Sequence, residues 1–224
     1  MDAQAAAFTA LAGYTVFLLL AFGLRSIVHY QRTGSTGFIG LTGRVGSTEW
    51  WGGFLFIVAL VAGGAAPILQ LAGVIAPFGA LDPPWAAAGL AFFLLGVAGT
   101  LWAQFAMGES WRIGVDAGAR TALVTAGPFR WVRNPIFTAM GLATLGLALL
   151  VPNVMSILAI VALVLALEIQ VRLVEEPYLT RTHGEEFRRY VAATGRFLPS
   201  LGRSNRIQVP DSKFHGAKGL RRPS

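Results

Sequence analysis

Two segments of this 224-residue chain concentrate the polar and ionisable side chains, and both adjoin long apolar stretches. The first runs from Gln104 through Glu109, Trp111 and Arg112 to Asp116. It continues through Leu123-Val124, Gly127-Pro128-Phe129, Arg130 and Arg133-Asn134-Pro135-Ile136-Phe137. The second holds Glu168, Arg172, Glu175-Glu176, Gly184-Glu-Glu-Phe187 and Tyr190. Asn is a favoured N-cap and Pro a favoured first helical residue, so a helix is expected to begin at Asn134-Pro135. A helix start offers free N–H groups and partial positive charge to a carboxylate or phosphate, and Arg130 and Arg133 add full charges beside it. The plainer alternative is that these arginines only anchor a loop to lipid headgroups and fix topology.

Glu168, Arg172 and Glu175 stand at i, i+4 and i+7, which places them on one face of a helix. An ionisable residue inside a span is expensive and marks a candidate site with a named partner. Here Glu168 has Arg172, either as functional groups or as a structural pair closing the bundle. Glu175 and Glu176 are candidate acceptors for hydroxyl or ammonium groups, or simply a solvated pair at the interface. Phe187, Tyr190 and Val191 share a face of a short helix expected to pack on the bundle. By the same spacing Gln104, Gly108 and Trp111 share a face. The histidines, His29, His183 and His215, have no metal-ligand spacing, and cysteine is absent. Thiolate chemistry and Cys-ligated metals are excluded, and no hydrolase arrangement or phosphate loop is visible.

The elements that must position these groups are membrane helices. Hydrophobic residues make up 54% of the chain and charged residues only 13%, whereas soluble domains carry about 25% charged residues. Such a chain cannot cover a water-facing surface. Apolar segments of spanning length, roughly 20 residues, lie near 5–27, 51–75, 85–107, 136–151 and 154–174. Pro152-Asn153 makes a tight hairpin of the last two. The fold expected is an all-α integral membrane bundle of five spans, with a short cytoplasmic C-terminal helix and a flexible basic tail from 201–224. No basic n-region precedes the first span, which reads as a retained helix rather than a signal peptide.

All 18 Lys and Arg residues follow the first, third or fifth span. Arg25, Arg32 and Arg44 fall after the first. The positive-inside rule therefore puts the N-terminus outside and the C-terminus in the cytoplasm of a multi-pass protein of the plasma (cell inner) membrane. An odd number of spans requires the same. The basic tail is expected near anionic headgroups. Nucleic acid is not an expected partner, because no aromatic stacking platform accompanies the charges.

Over residues 101–200 the order and spacing of these motifs resemble the isoprenylcysteine carboxyl methyltransferase family of membrane methyltransferases, broadly including phospholipid methyltransferases. That family has a Leu-Val pair, a Gly-Pro-aromatic turn and Arg-His-Pro-x-Tyr at the start of a span. After a helical hairpin come an Arg shortly before a Glu-Glu pair and a Gly-x-Glu-Tyr-x-x-Tyr segment ending in proline. The corresponding residues are Leu123-Val124, Gly127-Pro128-Phe129, Arg133-Asn134-Pro135-Ile136-Phe137, Arg172, Glu175-Glu176, Gly184 to Tyr190, and Leu198-Pro199.

The resemblance implies S-adenosylmethionine held by Thr121, Leu123, Val124, Phe129, Asn134, Pro135, Phe137 and Glu175, with Arg133 beside them, and a lipophilic acceptor arriving from the bilayer. Arg172 would orient a carboxylate acceptor, while an amine acceptor would need a base, Glu168 or Glu176. The division implied is 1–100 for the N-terminal spans and 101–200 for the methyltransferase-like region. Asn134, Phe137 and Thr121 replace a His, a Tyr and a His of the family, so contacts to cofactor or acceptor should differ. No obligate protein partner is evident. Two other readings stay open on sequence alone: an NADPH-dependent membrane reductase similar to the sterol and steroid reductases, and a non-enzymatic binder of lipophilic ligands.

Overall fold

In hydrocarbon a backbone N–H or C=O has no water to bond, so apolar segments of this length must fold as helices or close into barrels. A computed structural model describes residues 1–79, 82–112 and 122–203. Among them every named element is helical, and Val132 and Gly195 form an isolated parallel bridge. The helices are α1 (Ala3–Thr33), α2 (Thr48–Leu71), α3 (Pro83–Met107), α4 (Pro135–Leu150), α5 (Val154–His183) and α6 (Glu185–Ala193). A 3₁₀ turn, Gly108–Ser110, extends α3.

Four of these, α1, α2, α3 with its turn, and α5, are long and apolar enough to cross a membrane. The expected fourth span, α4, is apolar but only 16 residues long, or about 24 Å at 1.5 Å per residue. That is shorter than the roughly 30 Å hydrocarbon core. Helix α6 forms where expected, and Phe187 and Val191 bury its apolar face.

The glycines allow the closest approach. A Cβ added to Gly96 would run into the backbone of Ala139 and Ala143, and one on Gly146 into that of Gly89 and Phe93. Small residues thus bring α3 and α4 into backbone contact, the packing that replaces hydrophobic drive in lipid. Phe93, Met140, Ala143, Leu147 and Leu150 form the adjoining core with Tyr14 and Phe17 of α1.

The hairpin at Pro152-Asn153 has a specific lock. Asn153 is fully buried. Its Oδ1 caps α5 by accepting from Met155 N (3.0 Å) and Ser156 N (3.2 Å). Its Nδ2 donates to Ala66 O and Gln70 Oε1 of α2, both at 3.1 Å.

Two sequence expectations are corrected here. Arg25 and Arg32 stand not in a loop after the first span but inside its helix, and Arg25 is the buried one. It lies within continuous α1, 2% exposed. Its Nη2 donates to Gly108 O at 2.6 Å, and its guanidinium lies 4.4 Å from the Trp111 ring. A buried guanidinium persists because it satisfies carbonyls at the end of α3 and stacks on an aromatic face. The shared face of Glu168, Arg172 and Glu175 is also broken, because α5 passes through a π-helical stretch at Gln170–Glu175. Hydrogen bonds running i→i+5 shift the helical phase, so Glu175 turns away from the other two.

Candidate functional site

Where the cores of α2, α4 and α5 end, their residues enclose a chamber of about 320 Å³, within the range of about 300–1,000 Å³ typical of small-molecule pockets. One wall is the segment leading into α4. Leu123 and Val124 line it, followed by Phe129, Arg133, Asn134, Pro135 and Phe137. The opposing wall is the π turn of α5, with Gln170, Glu175 and Glu176. Two sequence segments about 40 residues apart thus face one another across one space. Of the expected cofactor residues, all eight within the described residues line it, and Thr121 lies outside the described residues.

A knot of charge holds these walls together. Arg133 donates from Nη2 to Glu176 Oε1 at 2.9 Å and from Nε to the same oxygen at 3.3 Å. Arg196 donates from Nε to Oε1 at 2.9 Å and from Nη2 to Oε2 at 2.7 Å. The remaining Arg133 donors go to the carbonyls of Val191, Thr194 and Gly202. Glu176 is 8% exposed and Arg133 7%, so this carboxylate is buried but compensated by two cations, as a buried charge must be. The Glu176 carboxylate beside Arg196 raises that guanidinium above its ordinary value.

The chain after α6 clamps the same turn. Arg133 N donates to Gly195 O at 2.8 Å and Asn134 N to Arg196 O at 3.1 Å. Thr138 Oγ1 reaches Phe197 O at 2.7 Å, and Tyr190 donates its phenolic O–H to Phe129 O at 2.5 Å. Asn134 departs from expectation. It precedes α4 and Pro135 is the first helical residue, but its side chain does not cap the helix. Its Nδ2 instead donates to Arg196 O at 3.1 Å, because that carbonyl lies within reach of both its backbone and side-chain N–H groups.

Arg172 and Glu168 form the expected i, i+4 pair. Both side chains are well exposed, 52% and 39%, and neither lines the chamber. Glu175 lines it and shares a hydrogen bond with the Gln170 side chain.

The N-terminal half contributes more than its sequence announces. Phe38, Leu41 and Thr42 of the α1–α2 connection and Glu49, Gly52 and Phe56 of α2 close the chamber. These residues carry no motif, and only tertiary packing brings them in. Arg196 was equally silent, since 20 residues separate it from Glu176 with no helical period connecting them. Its one signal is its place just before Leu198-Pro199, the end of the recognisable pattern.

Helices long and apolar enough to cross a membrane, around one partly open chamber of mixed apolar and charged lining, define a membrane protein with a candidate ligand site. Residues 85–186 match the model of the phospholipid methyltransferase family, a likeness that extends over a little under half of the chain. The matched stretch begins at α3 and ends within α6, so α1, α2 and Arg196 lie outside it. No curated protein and no solved structure matches the chain.

Proposed function

We propose that the chain is an S-adenosylmethionine-dependent methyltransferase that modifies a lipophilic acceptor at the cytoplasmic membrane face. The observation that carries this reading is the meeting of Leu123–Phe137 with Glu175 and Glu176 across one chamber. The donor set suits the cofactor. An apolar wall of Leu123, Val124, Phe129 and Phe137 can hold an aromatic base. The Glu175 carboxylate can accept from ammonium or ribose hydroxyl groups, and the N-terminus of α4 favours a carboxylate. When bound, the cofactor supplies an electrophilic methyl on sulfur; transfer joins that carbon to the acceptor, breaks the carbon–sulfur bond and leaves its electron pair on sulfur.

The chain's own contribution is placement. In-line displacement gains chiefly from fixed geometry, and the Arg133–Glu176–Arg196 knot holds the α4 turn against α5. Glu176 therefore acts as a positioning residue, since a carboxylate held by two guanidiniums is a poor base. Glu175, free of an arginine among the described residues, is the better-placed group to take a proton from an amine. Arg172 with Glu168 stands outside the chamber, positioned to meet the polar end of an acceptor approaching from the bilayer. The positive-inside pattern supports an N-terminus outside and a C-terminus in the cytoplasm of the plasma membrane. The 1–100 and 101–200 regions act as one unit, because both halves line the site.

The test is transfer itself. Membranes carrying the chain, supplied with S-adenosylmethionine labelled in its methyl group, are expected to move label into organic-extractable material, and membranes carrying Glu175→Ala are not. Label absent from the lipid phase in both would overturn the reading.

A further inference from the structure

The chamber wall is asymmetric in its hydrogen-bonding groups. Three of its side-chain donor groups already have partners. Arg133 is consumed by Glu176 and three carbonyls, Asn134 Nδ2 by Arg196 O, and Gln104 Nε2 by Ala21 O at 3.0 Å. Arg112, also in the wall, carries an interaction of its own. Two of the wall's side-chain acceptors have no partner among the described residues. Gln104 is 2% exposed, and its Oε1 has no hydrogen-bond partner. Glu49, at the start of α2, lines the chamber with no ion pair among the described residues. A buried acceptor without a donor is costly to maintain, and native folds rarely leave one unexplained.

On the methyltransferase reading above, and resting on it, we infer that Gln104 and Glu49 form the acceptor-specificity subsite, selecting substrates whose reacting end carries an N–H or O–H donor. An amine or phenol satisfies Gln104 Oε1 and complements the Glu49 carboxylate. A carboxylate substrate meets a carbonyl oxygen and a like charge, with Arg133 already held by Glu176 and three carbonyls, and is rejected. Glu49 precedes the matched stretch 85–186, so this selection comes from the part of the chain without a family signature.

The experiment uses the full chain in detergent, loaded with S-adenosylmethionine, and three amphiphiles of one chain length: hexadecylamine, a 4-alkylphenol and hexadecanoate. Resistance to thermal unfolding reports binding, so turnover is not required. The amine or the phenol is expected to raise Tm in wild type and hexadecanoate to leave it unchanged. The shift should be lost in Gln104→Met and in Glu49→Gln, with the Kd for S-adenosylmethionine within twofold of wild type. Glu49 is only half-buried, so its variant serves if Gln104→Met fails to fold. Equal stabilisation by hexadecanoate, a shift that survives in both variants, or no shift from any of the three would overturn the inference alone. Failure of wild type to bind S-adenosylmethionine would overturn the methyltransferase reading and this inference with it.

Discussion

Arg133, at the mouth of α4, and Arg196, beyond the last helix, meet on one carboxylate, Glu176 of α5, at 2.9 and 2.7 Å. Through that shared anion the turn entering α4, the π turn of α5 and the C-terminal clamp become one rigid frame around the chamber. The frame is built from charges, so it should fail when its charge balance is broken.

Glu176→Gln leaves two guanidiniums without their anion, one of them buried. Breaking a buried pair this way removes about 3 kcal/mol, which should appear as a fall of several degrees in Tm of the purified chain. Arg196 is the more exposed partner, so Arg196→Leu should lose less. Equal stability of Glu176→Gln and wild type would show that the charges do not hold the frame.

Tyr190 offers a pH-dependent test. Burial pushes its phenol above the ordinary value, and the O–H donates to Phe129 O. The folded state therefore keeps the proton while the unfolded chain releases it near about pH 10. The stabilising contribution is complete below that pH and declines as pH rises through it. Tyr190→Phe should cost about 1 kcal/mol at neutral pH. The gap between variant and wild type in thermal unfolding should narrow from about pH 9 to about pH 11.

The glycine contacts separate packing from flexibility within one helix. Gly146→Ala drives a methyl into the α3 backbone and should destabilise by about 1–3 kcal/mol. Gly141, also in α4, has open space where a Cβ would stand. Gly141→Ala should be neutral or stabilising by up to about 1 kcal/mol. Thermal unfolding of the two variants side by side reads the difference.

Arg172 and Glu168 lie outside the chamber, and their exposure means the pair itself contributes at most about 1 kcal/mol to stability. Arg172→Ala should leave the Kd for S-adenosylmethionine within twofold of wild type and raise the KM for the acceptor. A tenfold loss of cofactor affinity would place Arg172 in the cofactor site instead.

The helices were legible because membrane spans are written in length and hydropathy, and the Pro152-Asn153 hairpin because Asn caps and Pro breaks. The motif residues from Leu123 to Phe137, and Glu175 as a cofactor residue, were legible only through the resemblance of their order and spacing to a known family, since turn and cap signals alone assign them no role. Periodicity failed where the helix itself departs from its regular period: the π turn at Gln170–Glu175 separated Glu175 from Arg172. Arg25 looked like a loop charge because nothing in sequence shows that Gly108 O and Trp111 wait for it. Arg196 and Glu49 were silent because their partners come from distant elements. Asn134 kept its place before α4 but not its capping role, since Arg196 O competes for the side chain.

The decisive titration uses the detergent-purified full chain, with S-adenosylmethionine and NADPH added separately and Glu175→Ala as the comparison. The expected result is saturable binding of S-adenosylmethionine, weakened at least tenfold in Glu175→Ala with the unliganded Tm unchanged, and no binding of NADPH. Binding of NADPH alone, or S-adenosylmethionine binding indifferent to Glu175, would contradict it.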